Sequence, residues 1–106
     1  NLPGIDPEAL GLELNERRGG IKVDDHMKTS VDGVYAIGDV TDKVMLAHVA
    51  SHQGIVAADN ITGSEHRMDY KAVPSAIFTD PEVATVGMSE KDAREAGINF
   101  VVGRFP

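Results

Sequence analysis

The spacing of hydrophobic positions changes near residue 44, and this change separates predicted strands from a predicted helix. Upstream, residues 21–24 alternate apolar and polar side chains, and residues 27–31 are their expected partner across a turn. Residues 34–38 are more apolar, β-branched and aromatic, which predicts a strand buried on both faces of a parallel sheet. From residue 44 to residue 61, apolar and small residues recur at spacings of three and four, which predicts one helix.

The residues around this helix supply expected start and stop signals. Thr41 and Asp42 precede it, and either side chain can cap its first N–H groups. Gly63 follows it, at the position where glycine commonly ends a helix. The helix also carries a stripe of small residues that permits a close approach to a sheet or to another helix: Ala47, Ala50, Gly54, Ala57 and Ala58.

The remaining segments predict a polar connector and a second group of short elements. Residues 1–20 contain prolines and glycines that form turns, so little regular structure is expected there. After a polar link at 64–72, the predicted elements are strands at 75–79 and 83–88 around Asp80–Pro81, a helix at 90–96 capped by Ser89 and ended by Gly97, and a strand at 98–102. The chain is therefore predicted to be a mixed α/β fragment, and its second domain is expected to be incomplete.

Composition narrows the class of protein. With 106 residues and 42% hydrophobic residues, the chain suits one modest globular domain, and its net charge of −7 argues against nucleic-acid binding. It contains no cysteine, which excludes disulfides and zinc–thiolate sites within the chain and fits a reducing compartment. The expected location is the cytoplasm, or the mitochondrial matrix if the source is eukaryotic. No apolar run approaches the roughly 18 residues of a membrane span. The chain opens on Asn rather than Met, and both ends are expected to be cut from a longer polypeptide.

Gly38 and Asp39 follow the most apolar predicted strand. Glycine lets a ligand approach the backbone closely, and the carboxylate can accept hydrogen bonds from ribose or ribityl hydroxyls. On spacing alone, a turn with a helix-capping aspartate is the more frequent explanation of this dipeptide.

Residues 45–48 (Met-Leu-Ala-His) stand at the expected helix start. Free N–H groups and the helix dipole favour negative charge there by about 0.3–1 kcal/mol at exposed sites. A reduced flavin carries negative charge at its N1/C2 carbonyl edge, so this position suits one. An ordinary apolar first turn explains the same residues equally well.

Three further patterns are each explained more simply without chemistry. His48 and His52 lie four residues apart, which is metal-ligand spacing, but no third ligand is evident, and solvated or packing histidines are favoured. Glu82 beside Asp80 fits a tight turn better than a catalytic carboxylate pair. Asn60-Ile61-Thr62 has the form of a glycosylation sequon, but nothing indicates secretion.

Taken together, these segments resemble the flavin-dependent pyridine nucleotide–disulfide oxidoreductases, along almost the whole chain. The matching segments are Asn1-Leu2-Pro3, the hairpin over 21–31, the second FAD fingerprint over 34–39, the flavin-contacting turn over 45–48, and the start of the interface domain over 73–87. The six-residue step from Asp39 to Met45 also agrees with that family.

The resemblance implies FAD and NAD as cofactors and assigns residues to one of them. Asp39, with Gly38, would hold the ribityl hydroxyls of FAD. The backbone of Met45, Leu46, Ala47 and His48 would meet the C2 carbonyl edge of the flavin. No catalytic residue is assigned, because the family's G-x-G-x-x-G loop, redox cysteine pair, NAD fingerprint and C-terminal His–Glu base are absent from this sequence. The isolated chain is therefore expected to bind FAD weakly and to be inactive.

The resemblance also implies domains and partners. Residues 1–20 would be the tail of the NAD-domain connector, residues 21–72 the C-terminal part of a Rossmann-like FAD-binding domain, and residues 73–106 the beginning of an α+β dimerisation domain. The M-L-A-H turn favours the members that oxidise dihydrolipoamide, which work as homodimers with a lipoyl-bearing protein of a 2-oxo acid dehydrogenase complex. The alternatives are a non-catalytic association or folding fragment and the same region of a mercuric reductase-like member.

Overall fold

The computed structural model describes residues 4–16 and 18–105, and the chain divides into two compact units, Asn1–Asp69 and Tyr70–Pro106. The matching segment Asn1-Leu2-Pro3 and Arg17 lie outside the described residues. The described residues form two α-helices, one 3₁₀ helix and two short strands. The mixed α/β class predicted from the sequence is confirmed. Within the described part of the chain, no helix is long and apolar enough to cross a membrane.

The first unit is built around helix α1, Ala47–Ile61, which follows a 3₁₀ helix at Gly38–Thr41. The predicted helix is confirmed, but it begins three residues later than expected, with Leu46 as an N-cap that makes no side-chain hydrogen bond. Capping by Thr41 or Asp42 is wrong, because the 3₁₀ helix incorporates Thr41 and places Asp42 in the left-handed region at its end. The predicted stop is confirmed: the helix ends at Ile61, and Gly63 has a φ of 94°.

The segments 21–24, 27–31 and 34–38 are each predicted to be a strand. In the structure they contribute only to two isolated antiparallel bridges, Leu14↔Ile21 and Lys28↔Tyr35. The expected burial of residues 34–38 on both faces is also wrong, because Val34 and Ile37 are 39% and 41% exposed. Burial on both faces requires elements that cover each face, as helices do in a parallel sheet. Among the described residues, the 34–38 segment makes one antiparallel bridge, Lys28↔Tyr35.

Helix α1 presents one face to the core of the first unit. Val49, Gln53, Val56 and Ala57 are its buried residues, and their spacing follows the helical repeat. The small-residue stripe of this helix is only partly buried, because Ala57 is buried while Ala47 is exposed. The other buried hydrophobic residues of this unit are Leu12, Ile21, Val23, Met27, Ala36 and Met68.

The second unit consists of a two-stranded antiparallel sheet and a short helix. Strands β1, Ser75–Ile77, and β2, Val83–Thr85, pair with Ala76 opposite Ala84. Helix α2, Glu90–Glu95, begins at a capping box between Ser89 and Asp92. These elements confirm the predicted hairpin and helix in shortened form. The strand expected at 98–102 is wrong, because no described residue pairs with it.

Candidate functional site

The site begins at Gly38, the first residue of the 3₁₀ helix. Its φ of 72° lies in the left-handed region, where a side chain would be strained. A Cβ built on Gly38 would lie 3.4 Å from the Cβ of Ala50, so the turn approaches helix α1 closely. The Gly38 N–H donates a buried hydrogen bond to Oε1 of Gln53 at 2.6 Å. Glycine is therefore favoured here by the backbone angle, whereas a Cβ would make only ordinary van der Waals contact with the helix.

The rest of this turn is held by hydrogen bonds from several parts of the unit. The buried Thr41 hydroxyl donates to the Gly38 carbonyl at 2.8 Å, and the Asp42 N–H donates to the Asp39 carbonyl at 3.0 Å. Asn15 Nδ2 donates to the Thr41 carbonyl at 2.9 Å. The Asp39 residue itself is exposed. The turn thus presents an aspartate to solvent on a backbone that is fixed on both sides.

The second half of the predicted site is the start of helix α1. The first intrahelical hydrogen bond runs from the Ala50 N–H to the Leu46 carbonyl at 3.0 Å. Met45, Ala47 and His48 are exposed and Leu46 is half-buried. The first turn contains no acidic side chain that would compete with an anion for the positive end of the helix.

The structure brings the two predicted halves into the same corner of the first unit. Gly38 lies against Ala50 and Gln53, the fourth and seventh residues of the helix that begins at Ala47. The exposed Asp39 can accept hydrogen bonds from hydroxyls, and the start of helix α1 can favour a negatively charged group. The arrangement suits a polyhydroxylated ligand with anionic character. We call residues 38–39 and 45–48 the cofactor corner.

Sequence reasoning missed Gln53, although this side chain joins the turn to the helix. Gln53 is 0% exposed, and its oxygen accepts the Gly38 N–H. The available signal was its position: it is a polar residue at the spacing of the apolar face, four residues after Val49 and three before Val56. A polar side chain at such a position implies an internal hydrogen-bond partner.

The histidines do not form a metal centre with a full ligand set. The ring of His52 lies edge-on to that of His66, with centroids 6.2 Å apart, and His66 Nδ1 lies 2.7 Å from Asp59 Oδ2. Among residues 4–16 and 18–105, no group of three or more His, Cys, Asp or Glu side chains could hold a metal ion.

The sequon and the acidic turn both have structural explanations. Asn60 Nδ2 donates to the carbonyls of Val56 and His66, each at 2.7 Å, so the amide nitrogen is engaged within the fold. Asp80 and Glu82 lie in the turn between β1 and β2, where the Thr79 hydroxyl donates to the Pro81 carbonyl at 2.9 Å.

Comparison with protein families gives two matches along the chain. Residues 2–54 match the pyridine nucleotide-disulphide oxidoreductase family. Residues 73–106 match the dimerisation domain of the same family.

Curated relatives and solved structures agree with these matches. The chain is 53% identical over 103 residues to a dihydrolipoyl dehydrogenase of Haloferax volcanii and 49% identical over 102 residues to one of Vibrio cholerae, with 96% of the chain aligned in each case. It spans only about a fifth of their length, 22% and 21% respectively. The HOCl-induced flavoprotein disulfide reductase RclA of Escherichia coli, solved as a Cu(II) complex, superposes on 86% of the chain with a TM-score of 0.72 and 35% identity, using 21% of that chain.

Proposed function

Because the chain belongs to the pyridine nucleotide–disulphide oxidoreductase family, we propose that it is the segment of a dihydrolipoamide dehydrogenase that carries one edge of the FAD site. Membership of this family, with flavoprotein structural neighbours, implies a flavin and a pyridine nucleotide as cofactors. The whole enzyme would oxidise dihydrolipoamide to lipoamide and reduce NAD⁺ to NADH. The observation that carries the proposal is the cofactor corner, in which Gly38 is bound against helix α1 and Asp39 remains exposed.

The residues present fit FAD. Asp39 would accept hydrogen bonds from the ribityl hydroxyls, since this residue is exposed beside Gly38, which is itself buried against helix α1. The backbone of residues Met45, Leu46, Ala47 and His48 would face the C2 carbonyl edge, at a helix start without acidic side chains. When bound, FAD supplies the two-electron chemistry between the dithiol and the nicotinamide. The role of this chain is to bind and orient the cofactor, and we assign it no catalytic residue.

The same proposal covers the domains and the partners. Residues 1–20 would be the tail of the NAD-domain connector, residues 21–72 the end of the FAD-binding domain, and residues 73–106 the start of the dimerisation domain. The whole enzyme would act as a homodimer with a lipoyl-bearing protein of a 2-oxo acid dehydrogenase complex. The match of residues 73–106 to a dimerisation domain supports the homodimer, and the exposure of Phe78 (85%) and Val101 (97%) is consistent with surface meant to be covered.

A chimera tests this function directly. Residues 1–106 replace the aligned segment of the Haloferax volcanii dihydrolipoyl dehydrogenase, to which the chain is 53% identical. We expect the chimera to retain FAD and to reduce NAD⁺ with dihydrolipoamide. Asp39→Ala should weaken FAD binding about 10- to 100-fold, because a hydrogen bond to a charged group contributes about 1.5–3 kcal/mol.

The matched control is Asp32→Ala, which removes another exposed aspartate outside the cofactor corner and should leave FAD affinity unchanged. A chimera that folds and dimerises but contains no flavin would contradict the proposal and favour a non-catalytic association fragment. The 106-residue chain alone should give no shifted flavin spectrum with FAD, because its sequence contains no G-x-G-x-x-G loop for the pyrophosphate.

A further inference from the structure

We propose that Gln53 is a positioning residue for the cofactor corner: by binding the Gly38 N–H, it sets the orientation of Asp39 relative to the start of helix α1. The inference rests on the function proposed above and concerns a residue that the motifs do not include. Its basis is the 2.6 Å hydrogen bond between Gly38 N and Gln53 Oε1, which joins residues 15 positions apart.

The burial of Gln53 indicates that its amide serves a partner rather than packing alone. The side chain is 0% exposed and shares its helix face with Val49, Val56 and Ala57. Burying a polar amide is unfavourable unless hydrogen bonds replace those made to water. An apolar side chain would fill the same space without that cost, but it could not accept the Gly38 N–H.

The contact controls the backbone immediately before Asp39. Gly38 is held at both of its backbone groups, because its N–H donates to Gln53 and its carbonyl accepts from the Thr41 hydroxyl at 2.8 Å. The Asp39 carbonyl is bound in turn by the Asp42 N–H at 3.0 Å. With the backbone fixed on both sides, the Cα–Cβ bond of Asp39 has a defined direction, and only the side-chain torsions of Asp39 remain to be set. Among the residues that hold this backbone, Gln53 lies on helix α1, so its hydrogen bond links the position of Asp39 to the start of the helix.

The amide also keeps this buried position neutral. A glutamate would supply the same acceptor oxygen, and its protonated form would still accept the Gly38 N–H through the carbonyl oxygen. A methionine has a similar length and volume but lacks an oxygen acceptor. Gln53→Glu therefore keeps an acceptor for the Gly38 N–H, whereas Gln53→Met keeps a side chain of similar volume without that acceptor.

The test uses the chimeric holoenzyme for cofactor binding and the 106-residue chain for the contact itself. Gln53→Met should weaken FAD binding about tenfold or more, because the Gly38 N–H loses its acceptor and the backbone before Asp39 is no longer fixed to helix α1. It should also accelerate hydrogen exchange of the Gly38 amide, measured by NMR. Gln53→Glu should keep the FAD dissociation constant within about threefold, since the acceptor is restored.

The matched control is Val56→Ala, which shortens a side chain of 0% exposure on the same helix face. It should lower the melting temperature while leaving FAD affinity and Gly38 exchange unchanged. A merely structural Gln53 would behave like this control. The inference is overturned if Gln53→Met changes neither the FAD affinity nor the exchange rate of the Gly38 amide.

Two further outcomes are decisive. If Gln53→Met prevents folding, Gln53→Glu decides, and a loss of FAD affinity of tenfold or more in that variant counts against a hydrogen-bonding role. A chimera that binds no FAD with Gln53 intact overturns the proposed function itself. A chimera that binds FAD regardless of residue 53 overturns only the inference.

Discussion

The two units of the chain differ in what holds their elements in place. Among the residues that the structure describes, nine of the ten buried hydrophobic residues lie in the first unit, and Ala93 is the one in the second. In the first unit, helix α1 is packed on segments distant in sequence, as the Gly38–Gln53 bond illustrates. In the second, a hairpin and a capped helix are specified locally while Phe78 is 85% exposed.

This difference shows that local signals and a core are separate requirements. A two-stranded hairpin is only marginally stable in water by itself, whereas buried apolar area stabilises the first unit cooperatively. Substitutions should therefore have large effects where long-range packing exists and small effects where only local signals operate.

The largest expected effect comes from a core side chain of the first unit. Met27→Ala should lower the free energy of unfolding by about 2–5 kcal/mol, because Met27 is 0% exposed and the truncation leaves a cavity. Alanine shares the left-handed backbone constraint of Met27, whose φ is 67°, so the backbone cost is unchanged. Urea unfolding followed by circular dichroism measures the loss.

Its counterpart in the second unit is Phe78→Ala, where a larger side chain is removed from a position 85% exposed. The change should stay within about 0.5 kcal/mol, as surface substitutions usually do. Similar losses for the two variants would contradict the contrast between the units.

The next effect concerns close backbone packing. A Cβ on Gly20 would lie 2.4 Å from the Cβ of Asp42 and 3.0 Å from its backbone nitrogen. Gly20→Ala should therefore destabilise the chain by about 1–3 kcal/mol, the usual cost of overpacking. Gly103→Ala is the control in the second unit, because nothing lies within 4 Å of its Cβ. Gly20→Ala should melt at a lower temperature than Gly103→Ala. Equal melting temperatures would show that the turn at Asp42 rearranges at no measurable cost in stability.

A smaller effect is expected at the start of α2. The Ser89 hydroxyl accepts the Asp92 N–H at 3.2 Å, and Asp92 Oδ2 lies 3.4 Å from the Ser89 nitrogen. Ser89→Ala should cost the helix about 1 kcal/mol and accelerate exchange of its first amides, since the cap is lost. The exposed Ser64, outside any helix, provides the control Ser64→Ala. Unchanged exchange in Ser89→Ala would mean that contacts other than the cap hold α2.

The smallest effect is a pH dependence on the surface of the first unit. The Lys22 ammonium lies 2.9 Å from Glu13 Oε2; its hydrogen bond, and then its charge, lower the pKa of the Glu13 carboxyl below its ordinary value. Stability from this pair is present above the unfolded-state pKa of glutamate and is lost as the pH falls through the lowered pKa. In Lys22→Met, an NMR titration should show the Glu13 pKa rising, and an unchanged value would mean that the exposed pair does not persist in solution.

The sequence predicted most reliably the features that depend on neighbouring residues. Gly63 follows the end of α1, Ser89 caps α2, and the Asp80–Pro81 turn joins β1 and β2. Each of these features depends on residues close in sequence: the positive φ of a glycine, a hydroxyl cap or a proline turn. The strand expected at 98–102 failed for the opposite reason. Its hydrophobic run is suited to a sheet, but a strand exists only where a partner pairs with it.

For the cofactor corner, the residues named from the sequence are a prediction. The sequence places Gly38 and Asp39 after an apolar segment, and Met45, at the expected start of a small-residue helix, lies six positions beyond Asp39. The family that these segments resemble agrees with the family matches. The FAD-binding roles of those residues stay a prediction. The contact of Gly38 with Ala50, and the hydrogen bond from its N–H to Gln53, become visible in the three-dimensional structure. Such a contact depends on how two elements pack, and a hydrogen bond between residues 15 positions apart leaves no local pattern beyond one polar side chain on an apolar face.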